Sequence, residues 1–342
     1  MNKKQLVIIN NEKIFTEDGN YFCDNLDMKV LPEGLSNYYS VNYIVRKSKK
    51  KGGQNLNLKN IMPASNIFQF IFFIFKTFKL PDANYLLITI TPYTFISFLI
   101  LFLFGKKRRF IYLMSSGHEE WKYILGNWSV WIYNIMHVMV TSKSKVIVCN
   151  ERLHDKNKSY LVSPSRLDER WLKDHKKSSL DKIRLVYVGR INPEKGIYEF
   201  LKMFDEVKSD AEFSIVGYAK NLEIKNKNVK LLGYASDPQK LINIYDDHNI
   251  MILPSFTEAH PYVLDECLSR KRPAIIFPDI AYVINGRKGV FVSERNINSF
   301  SETLKYIINN YNKIQNEMEN NKLPTKKSMI KEFSNIIDNQ IF

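Results

Sequence analysis

The sequence has few cysteines and lacks metal-binding patterns. Its 342 residues include three cysteines, Cys23, Cys149 and Cys267, which lie far apart without Cys-x-x-Cys spacing. This pattern excludes a disulfide framework and a zinc cluster, and it is typical of a protein kept in a reducing cytosol. Since no His-Glu-x-x-His pattern and no spaced His and Cys cluster occurs either, we expect no bound metal.

The short motifs of several common enzyme classes are also missing. Neither Gly-x-Gly-x-x-Gly nor Gly-x-x-x-x-Gly-Lys-Ser/Thr occurs, so the fingerprints of dinucleotide-binding and P-loop proteins are absent. No Asp-x-Asp occurs, which disfavours a fold that holds a nucleotide through a metal bridge. The Gly-x-Ser-x-Gly of a hydrolase elbow is absent as well.

Length and composition indicate a globular protein of two domains. Hydrophobic residues make up 45% of the chain, which excludes a disordered protein, and the 13 glycines and 12 prolines exclude a collagen-like one. A chain of this length forms two domains more often than one.

Positive charge is concentrated in the first half of the chain. The net charge is +15, of which residues 1–165 carry +11 and residues 166–342 carry +4. Such asymmetry indicates that the first half faces something anionic, either a nucleic acid or a lipid surface. Because the aromatic residues lie in apolar runs and not on a recognisable base-stacking fold, we expect no nucleic acid. A solvated basic face over an aromatic core remains the alternative to a membrane surface.

An uncharged run of twenty residues, 85–104, allows two interpretations. A basic cluster follows it, as it would follow a transmembrane helix. Pro92 and several hydroxyl-bearing residues favour a strand, a turn and a helix instead, and the strand predicted next at 109–114 would complete a βαβ unit. At the N-terminus, the apolar run Gln5–Asn10 is too short for a signal peptide, so we expect a cytoplasmic protein.

Short β-branched runs alternate with helical patterns in both halves. We predict strands at 5–10, 41–45, 85–90, 109–114 and 145–149, and then at 184–188, 212–216, 229–232, 250–253 and 274–277. We predict helices at 67–80, 93–104, 121–141, 197–207, 238–246, 261–270, 299–310 and 328–342. This alternation is typical of doubly wound parallel sheets. A polar linker at 163–182 predicts two α/β domains, 1–165 and 166–325, with the C-terminal helix 326–342 packing back on the first.

A strand-to-helix loop in the second half contains two cations. The predicted strand ends at Gly189, and Arg190 and Lys195 lie in the loop before the next helix. Ligands bind at the carboxyl edge of a parallel sheet, where converging Arg and Lys side chains suit a diphosphate. On its own, the loop could also be a solvated basic turn.

A second loop places two glutamates around a predicted helix start. Glu258 follows a predicted strand, Pro261 opens the helix, and Glu266 lies in its second turn. Proline is favoured at the first helical position, and the amides of the first turn form a phosphate site. Glu266 can accept a pair of sugar hydroxyls, although two acids near a helix start could also serve only the helix dipole.

Together, these loops resemble the C-terminal half of glycosyltransferase family 4, a family of retaining enzymes, between about Lys182 and Tyr311. Family members carry Gly-Arg after a strand with a nearby Lys-Gly, and two glutamates separated by seven residues. The same order occurs here across about 80 residues. The resemblance implies an α/β fold of GT-B architecture, in which two Rossmann-like doubly wound domains face a cleft.

The resemblance also implies roles for single residues. Arg190 and Lys195 would neutralise the donor diphosphate as it leaves, Glu258 would contact the donor sugar, and Glu266 would hold the ribose hydroxyls. His118 would face the sugar from the first domain, although one His in a polar turn can also be a plain loop residue. The remaining expected donor-binding residues are Gly189, Gly217, Gly233, Tyr234, His260, Pro261, Tyr262 and Val263.

The sequence departs from the family pattern near the donor sugar. His260 stands where the family has an aromatic residue, and the glycine-rich acceptor loop of the first domain is reduced to Asp18 and Gly19. The family resemblance implies a nucleotide-diphosphate sugar donor, a glycan or lipid-linked acceptor, retention of configuration and no metal. We therefore expect a glycosyltransferase of surface polysaccharide or glycolipid synthesis, peripheral on the inner face of the cell membrane. A non-catalytic partner subunit and a sugar-nucleotide epimerase of the same fold are the alternatives.

Overall fold

The computed structural model describes residues 3–178, 180–207, 210–218, 224–235 and 237–339. The chain divides into two compact units. The N-terminal unit comprises residues 1–164 and 326–342, and the C-terminal unit comprises residues 165–325. The expected domain boundary after residue 165 lies one residue from this division.

The N-terminal unit is built on a nine-stranded sheet. Seven strands run parallel in the order β5-β3-β1-β6-β7-β8-β9. Strand β2 pairs antiparallel with the last residues of β1, and β4 pairs antiparallel with β2. The strands are β1 (Gln5–Glu17), β2 (Asn20–Cys23), β3 (Ser40–Lys47), β4 (Gln54–Leu56), β5 (Asn60–Ala64), β6 (Asn84–Ile88), β7 (Arg109–Leu113), β8 (Lys145–Val148) and β9 (Ser159–Leu161).

Helices cover both faces of this sheet. Side chains alternate along a strand, so Leu6 and Ile8 of β1 join one core and Val7 and Ile9 join another. The first core includes side chains of α1 (Asp27–Leu35) and α11 (Lys326–Asp338). The second core includes side chains of α2 (Ile67–Lys76), α3 (Pro92–Leu103) and α5 (Asn127–Ser142), and α4 (Gly117–Leu125) contacts α5.

The C-terminal unit has a six-stranded parallel sheet with one hydrophobic core. Its strands are β10 (Arg184–Val188), β11 (Glu212–Val216), β12 (Val229–Gly233), β13 (Ile250–Leu253), β14 (Ala274–Ile276) and β15 (Val290–Val292). Its helices are α6 (Ile197–Glu206), α7 (Pro238–Asp247), α8 (Tyr262–Ser269), α9 (Ile297–Asn309) and α10 (Tyr311–Met318). The order β12-β11-β10-β13-β14-β15 reverses direction between β10 and β13. Open α/β sheets bind their ligands at such a switch point, outside the carboxyl ends of the strands.

The uncharged run 85–104 folds as a strand, a turn and a helix. It forms β6 and α3, and β7 completes the βαβ unit, as predicted. Helix α3 begins with a capping box between Thr91 and Thr94, with Pro92 in the first turn, and this arrangement satisfies amides that have no partner within the helix. Within the described ranges, no helix combines the length and the apolar character needed to cross a membrane.

The structure differs from the expected elements in several places. The expected single helix 121–141 is two helices, α4 and α5, because Gly126 separates them with a φ of +89°. The expected linker belongs mostly to the C-terminal unit, since Leu167 and Trp171 enter its core. Several elements were not predicted: α1, β2, β4, β5, β9, β15 and α10.

Two buried arginines hold in place the segment that was expected to be a linker. Arg270 donates to the carbonyl oxygens of Trp171, Lys173 and Asp174 at 3.0, 2.7 and 2.8 Å, and Arg272 donates to that of Lys176 at 2.8 Å. Buried main-chain carbonyls need such donors. The segment is therefore held to the C-terminal unit through its main-chain carbonyls and through the buried Leu167 and Trp171.

Candidate functional site

The two loops singled out in the sequence meet at the switch point of the C-terminal unit. One follows β10 and the other follows β13. Gly196 has a φ of +63°, and a Cβ atom there would lie 2.0 Å from the carbonyl oxygen of Pro254. The amide of Phe256 donates to the carbonyl oxygen of Glu194 at 3.0 Å. The loops therefore pack main chain against main chain, which requires glycine at position 196.

An ion pair joins the loops at their centre. The Nζ atom of Lys195 lies 2.6 Å from Oε1 of Glu258, and the hydroxyl of Ser255 donates to the same oxygen at 2.7 Å. The side chains of Lys195 and Glu258 are 15% and 11% exposed. Within the described ranges, Oε2 of Glu258 has no hydrogen-bond partner. The structure thus brings together a predicted diphosphate-binding cation and a predicted sugar-contacting carboxylate, with one oxygen left for a ligand.

Neighbouring side chains hold the Glu258 loop rigid. The hydroxyl of Tyr282 accepts from the amide of Glu258 at 3.2 Å and donates to its carbonyl oxygen. Arg295 donates to the carbonyl oxygens of Pro254 and Ser255 at 2.9 and 3.1 Å, and it pairs with Asp279 at 2.8 Å. Sequence reasoning missed Tyr282, Arg295 and Ser255. Only Ser255 had a signal, its position two residues after the predicted strand 250–253.

Arg190 lies in the first loop with an exposed guanidinium. Within the described ranges, that guanidinium has no hydrogen bond or ion pair; only its main-chain carbonyl is engaged, by the hydroxyl of Tyr187. Burial raises the pKa of Tyr187, and the charge of Glu258 adds to the shift. Burial opposes the ionisation of Glu194, but hydrogen bonds and the two loop cations together hold its pKa below the ordinary value. Glu194 is therefore ionised beside the two loop cations, and the exposed guanidinium of Arg190 is accessible to an anion.

Helix α8 follows the loop that carries Glu258. It begins at Tyr262, so the prediction that Pro261 is the first helical residue was wrong by one position. Pro261 has no amide proton, and the amides that open the helix belong to Tyr262 and Val263. Glu266 lies in the second turn and is 5% exposed. It accepts a hydrogen bond from the hydroxyl of Tyr245 at 3.2 Å, a partner that sequence reasoning missed.

His260 is fixed by a carboxylate of α8. Its Nε2 atom lies 2.8 Å from Oδ2 of the buried Asp265, whose other oxygen binds Arg287. The His260 ring contacts Tyr262 edge-on at 5.2 Å, and the guanidinium of Arg166 lies 4.1 Å from the Tyr262 ring centre. His260 is thus held firmly beside the helix start, while Asp265 had not been predicted to take part.

Strand-end glycines line the carboxyl edge of the sheet. A Cβ atom on Gly217 would lie 2.1 Å from the carbonyl oxygen of Gly189. The amide of Gly217 donates to the carbonyl oxygen of Gly233 at 3.0 Å, and the following Tyr234 is exposed. The structure therefore places Gly189, Gly217 and Gly233 next to one another, while contact of Tyr234 with a base stays a prediction.

His118 belongs to the N-terminal unit, in the first turn of α4. Its ring lies 4.7 Å from that of Tyr133 and 5.1 Å from that of His137. Burial and the charge of His118 lower the pKa of His137. His118 is therefore packed among aromatic rings, and its contact with a donor sugar stays a prediction.

Comparisons with known proteins agree with this geometry. Residues 182–310 match the family model described as glycosyl transferases group 1. The capsular polysaccharide biosynthesis glycosyltransferase CapM of Staphylococcus aureus is 27% identical over 148 residues, which cover 38% of this chain and 37% of CapM. The chain thus matches little more than a third of the length of this curated relative.

Solved structures resemble almost the whole chain. The Anabaena protein HepE, crystallised with UDP and glucose, has a TM-score of 0.70 at 10% identity, covering 98% of this chain and 100% of HepE. WaaG, a glycosyltransferase involved in lipopolysaccharide biosynthesis, has a TM-score of 0.65 at 11% identity, covering 98% and 100%. The chain therefore has the α/β fold of the GT-B glycosyltransferases. Together with the match at residues 182–310, this fold supports a transferase enzyme.

Proposed function

We propose that the protein is a glycosyltransferase that moves a sugar from a nucleotide-diphosphate sugar to a glycan acceptor. The observation that carries this proposal is the ion pair of Lys195 and Glu258 at the switch point of the C-terminal sheet, with the exposed Arg190 in the same loop as Lys195. HepE, which shares the fold, was crystallised with UDP-glucose. We infer that the sugar becomes part of a surface polysaccharide or glycolipid, the kind of product named for CapM and WaaG.

The charges of the site suit the cleavage of a sugar–phosphate bond. That cleavage builds positive charge on the sugar ring and negative charge on the departing diphosphate. Arg190, Lys195 and the first amides of α8 provide preorganised positive charge for the diphosphate, the largest electrostatic contribution available to such a site. Since Lys195 is held by Glu258 at 2.6 Å, we infer that diphosphate oxygens share the lysine with Glu258 once the donor binds.

We assign the two glutamates to different parts of the donor. Glu258 has a free carboxylate oxygen among its described contacts and lies beside Lys195, so it contacts the sugar near the reacting carbon. Glu266 is buried in α8 beside Tyr245 and accepts the ribose hydroxyls. Gly217, Gly233 and Tyr234 then lie on the nucleotide side of the donor.

We further propose, from the family resemblance, that the enzyme belongs to glycosyltransferase family 4. The sugar then keeps its anomeric configuration, and transfer needs no divalent metal, because arginine, lysine and helix amides supply the positive charge. The acceptor is lipid-linked, so the enzyme is cytoplasmic and peripheral on the inner face of the membrane. The +11 charge of residues 1–165 supports attraction to anionic lipid.

A thermal-shift series with nucleotide diphosphates and their sugars tests the proposed activity. A ligand at about 100 times its dissociation constant stabilises the folded state by roughly 2.7 kcal/mol, so the cognate nucleotide should raise the melting temperature visibly. Radiolabelled donor with membrane extract as acceptor should then yield labelled glycan, also in the presence of EDTA. Stabilisation by no nucleotide, or epimerisation of the donor without transfer, would contradict the proposal.

Replacing the glutamates one at a time separates their roles. Glu266→Ala should weaken nucleotide binding by about 1–3 kcal/mol, because a buried ribose loses its hydrogen-bond acceptor. Glu258→Ala should lower turnover more than it lowers nucleotide affinity. Calorimetric nucleotide titration and single-turnover kinetics measure the two quantities, with exposed Glu302→Ala in α9 as a control. Small and equal effects of both substitutions would mean that these acids are only structural.

A further inference from the structure

Three helices of the N-terminal unit are apolar on both sides. Helices α2, α3 and α5 turn one stripe of side chains toward the sheet, for example Phe70 and Ile74 of α2. A surface helix of a water-soluble domain carries charged residues on its opposite stripe. These three helices contain a single Asp, Glu, Lys or Arg between them, Lys76 at the end of α2. Their outer stripes are therefore poorly suited to water.

The outer stripes expose large hydrophobic side chains. Phe68 and Phe72 lie one turn apart on α2, and Trp128 and Trp131 lie one turn apart on α5. Phe68 is 80% exposed and Trp131 70%. We call the following six exposed residues the apolar face: Phe68, Phe72, Leu103, Trp128, Trp131 and Val138.

The three helices that carry the apolar face are neighbours on the sheet. Helices α2, α3 and α5 pack into the same core on one face of the sheet, so their outer stripes lie on the same side of the unit. Helix α3 contacts both α2 and α5. The rings of Phe75 and Phe104 lie 5.2 Å apart and join the ends of α2 and α3. Contiguous apolar surface of this kind marks a protein or membrane interaction site.

Positive charge borders this face along one edge. Helices of a parallel α/β unit run against the strands, so their C-terminal ends share one edge of the sheet. Exposed lysines lie at those ends: Lys76 and Lys79 at the end of α2, Lys107 after α3 and Lys143 after α5. The three helices carry no Asp or Glu. The acidic residue near that edge, Asp82, lies 3.7 Å from Arg108, so the lysines form an excess of positive charge that an anionic lipid headgroup matches better than a second copy of this basic edge does.

We propose that the apolar face inserts into the headgroup and upper acyl region of an anionic membrane, with the bordering lysines on lipid phosphates. Aromatic and aliphatic side chains beside lysines are the composition of segments that lie in that interface. The inference rests on the proposed function only for the reason to be at a membrane, namely a lipid-linked acceptor. It goes further because it predicts insertion of the apolar face. Salt should then weaken membrane binding by screening the lysines, while the hydrophobic contribution to binding remains.

Vesicle binding by the full chain tests the insertion. With phosphatidylglycerol–phosphatidylcholine vesicles, Phe72→Ser/Trp131→Ser should lower the partition coefficient about tenfold or more, because burial of large apolar side chains is lost. Tyr38→Ser is the matched control, since Tyr38 is similarly an exposed aromatic but follows α1 on the other face of the sheet. Unchanged circular dichroism and melting temperature would show that the variants are folded.

Fluorescence reports the depth of insertion. Trp128 and Trp131 are exposed, whereas Trp171 is buried in the C-terminal unit. In a Trp121→Phe background, lipids brominated on their acyl chains should quench the two exposed tryptophans, and 0.5 M NaCl should lower the bound fraction without abolishing quenching of what remains bound. Binding without quenching, binding that Phe72→Ser/Trp131→Ser leaves unchanged, or dimerisation through this face without lipid binding would overturn the proposal. If vesicles bind as expected but no nucleotide stabilises the protein, the proposed transfer fails and the insertion stands.

Discussion

Lys195→Ala should lower the turnover of the nucleotide-sugar donor about a hundredfold, with a much smaller effect on the melting temperature. The reason is that Lys195 lies at the meeting point of the two loops, 15% exposed and 2.6 Å from Glu258, where the diphosphate develops negative charge. Removal of one preorganised donor from such a site costs about 3 kcal/mol of transition-state stabilisation. Single-turnover kinetics with saturating donor measure the effect, and Arg190→Ala should show a loss of similar size.

Two further variants separate binding of the diphosphate from neutralisation of Glu258. Lys202→Ala removes an exposed lysine from the helix that follows the loop and should leave turnover unchanged. Combining Lys195→Ala with Glu258→Gln forms a double-mutant cycle. If Lys195 acts on the diphosphate, it remains important when Glu258 is neutral, so the double variant should be far slower than Glu258→Gln alone. Equal rates for those two variants would show that Lys195 serves only to balance the carboxylate.

Arg270→Ala should destabilise the C-terminal unit by about 3–5 kcal/mol, the usual cost of removing one partner from a buried ion pair. Arg270 is 1% exposed and donates to both oxygens of Asp246, at 2.9 and 2.7 Å. It also donates to three main-chain carbonyls of the segment around Trp171. Its loss leaves these buried acceptors without their donor, and Arg272, 3.8 Å from Asp246, compensates only in part.

Trp171 makes this effect measurable in one unit of the chain. The other three tryptophans belong to the N-terminal unit, so replacing Trp121, Trp128 and Trp131 with Phe leaves Trp171 as the sole reporter. Urea unfolding followed by its fluorescence should show a clearly lower midpoint for Arg270→Ala. Lys271→Gln, which removes a surface pair with Glu319, is the control and should shift the midpoint little. Coincident transitions for Arg270→Ala and the parent would disprove the stabilising role of Arg270.

Local patterns in the sequence were enough to predict most of the secondary structure. Strands β10, β11 and β13 have the bounds that their β-branched runs predicted. A strand of a parallel sheet is buried on both faces, so it reads as a short apolar run that ends at the flanking turn residues. Pro92 and its neighbouring threonines likewise favoured a strand and a helix at 85–104. A proline and a capping box can start a helix through local contacts alone. Short elements such as β15 and β4 were missed because three residues carry no periodicity.

The sequence also placed Arg190, Lys195, Glu258 and Glu266 at the carboxyl edge of a sheet, since each follows a predicted strand. It did not determine that Lys195 pairs with Glu258. That pair exists because β10 and β13 are neighbours at the point where the strand order reverses, and strand order depends on long-range packing. The supporting side chains of Tyr282 and Arg295 come from later parts of the chain and carried no motif.

The sequence by itself determined that the N-terminal half is basic and that three of its helices, α2, α3 and α5, are unusually apolar. Only the tertiary structure decided which stripe of each helix faces the core. In a helix with charged residues, periodicity identifies the outer stripe, but α2, α3 and α5 are apolar on both sides. Packing against the alternating side chains of the sheet buried Phe70 and left Phe68 and Phe72 exposed, because a sheet face has room for one stripe of each helix.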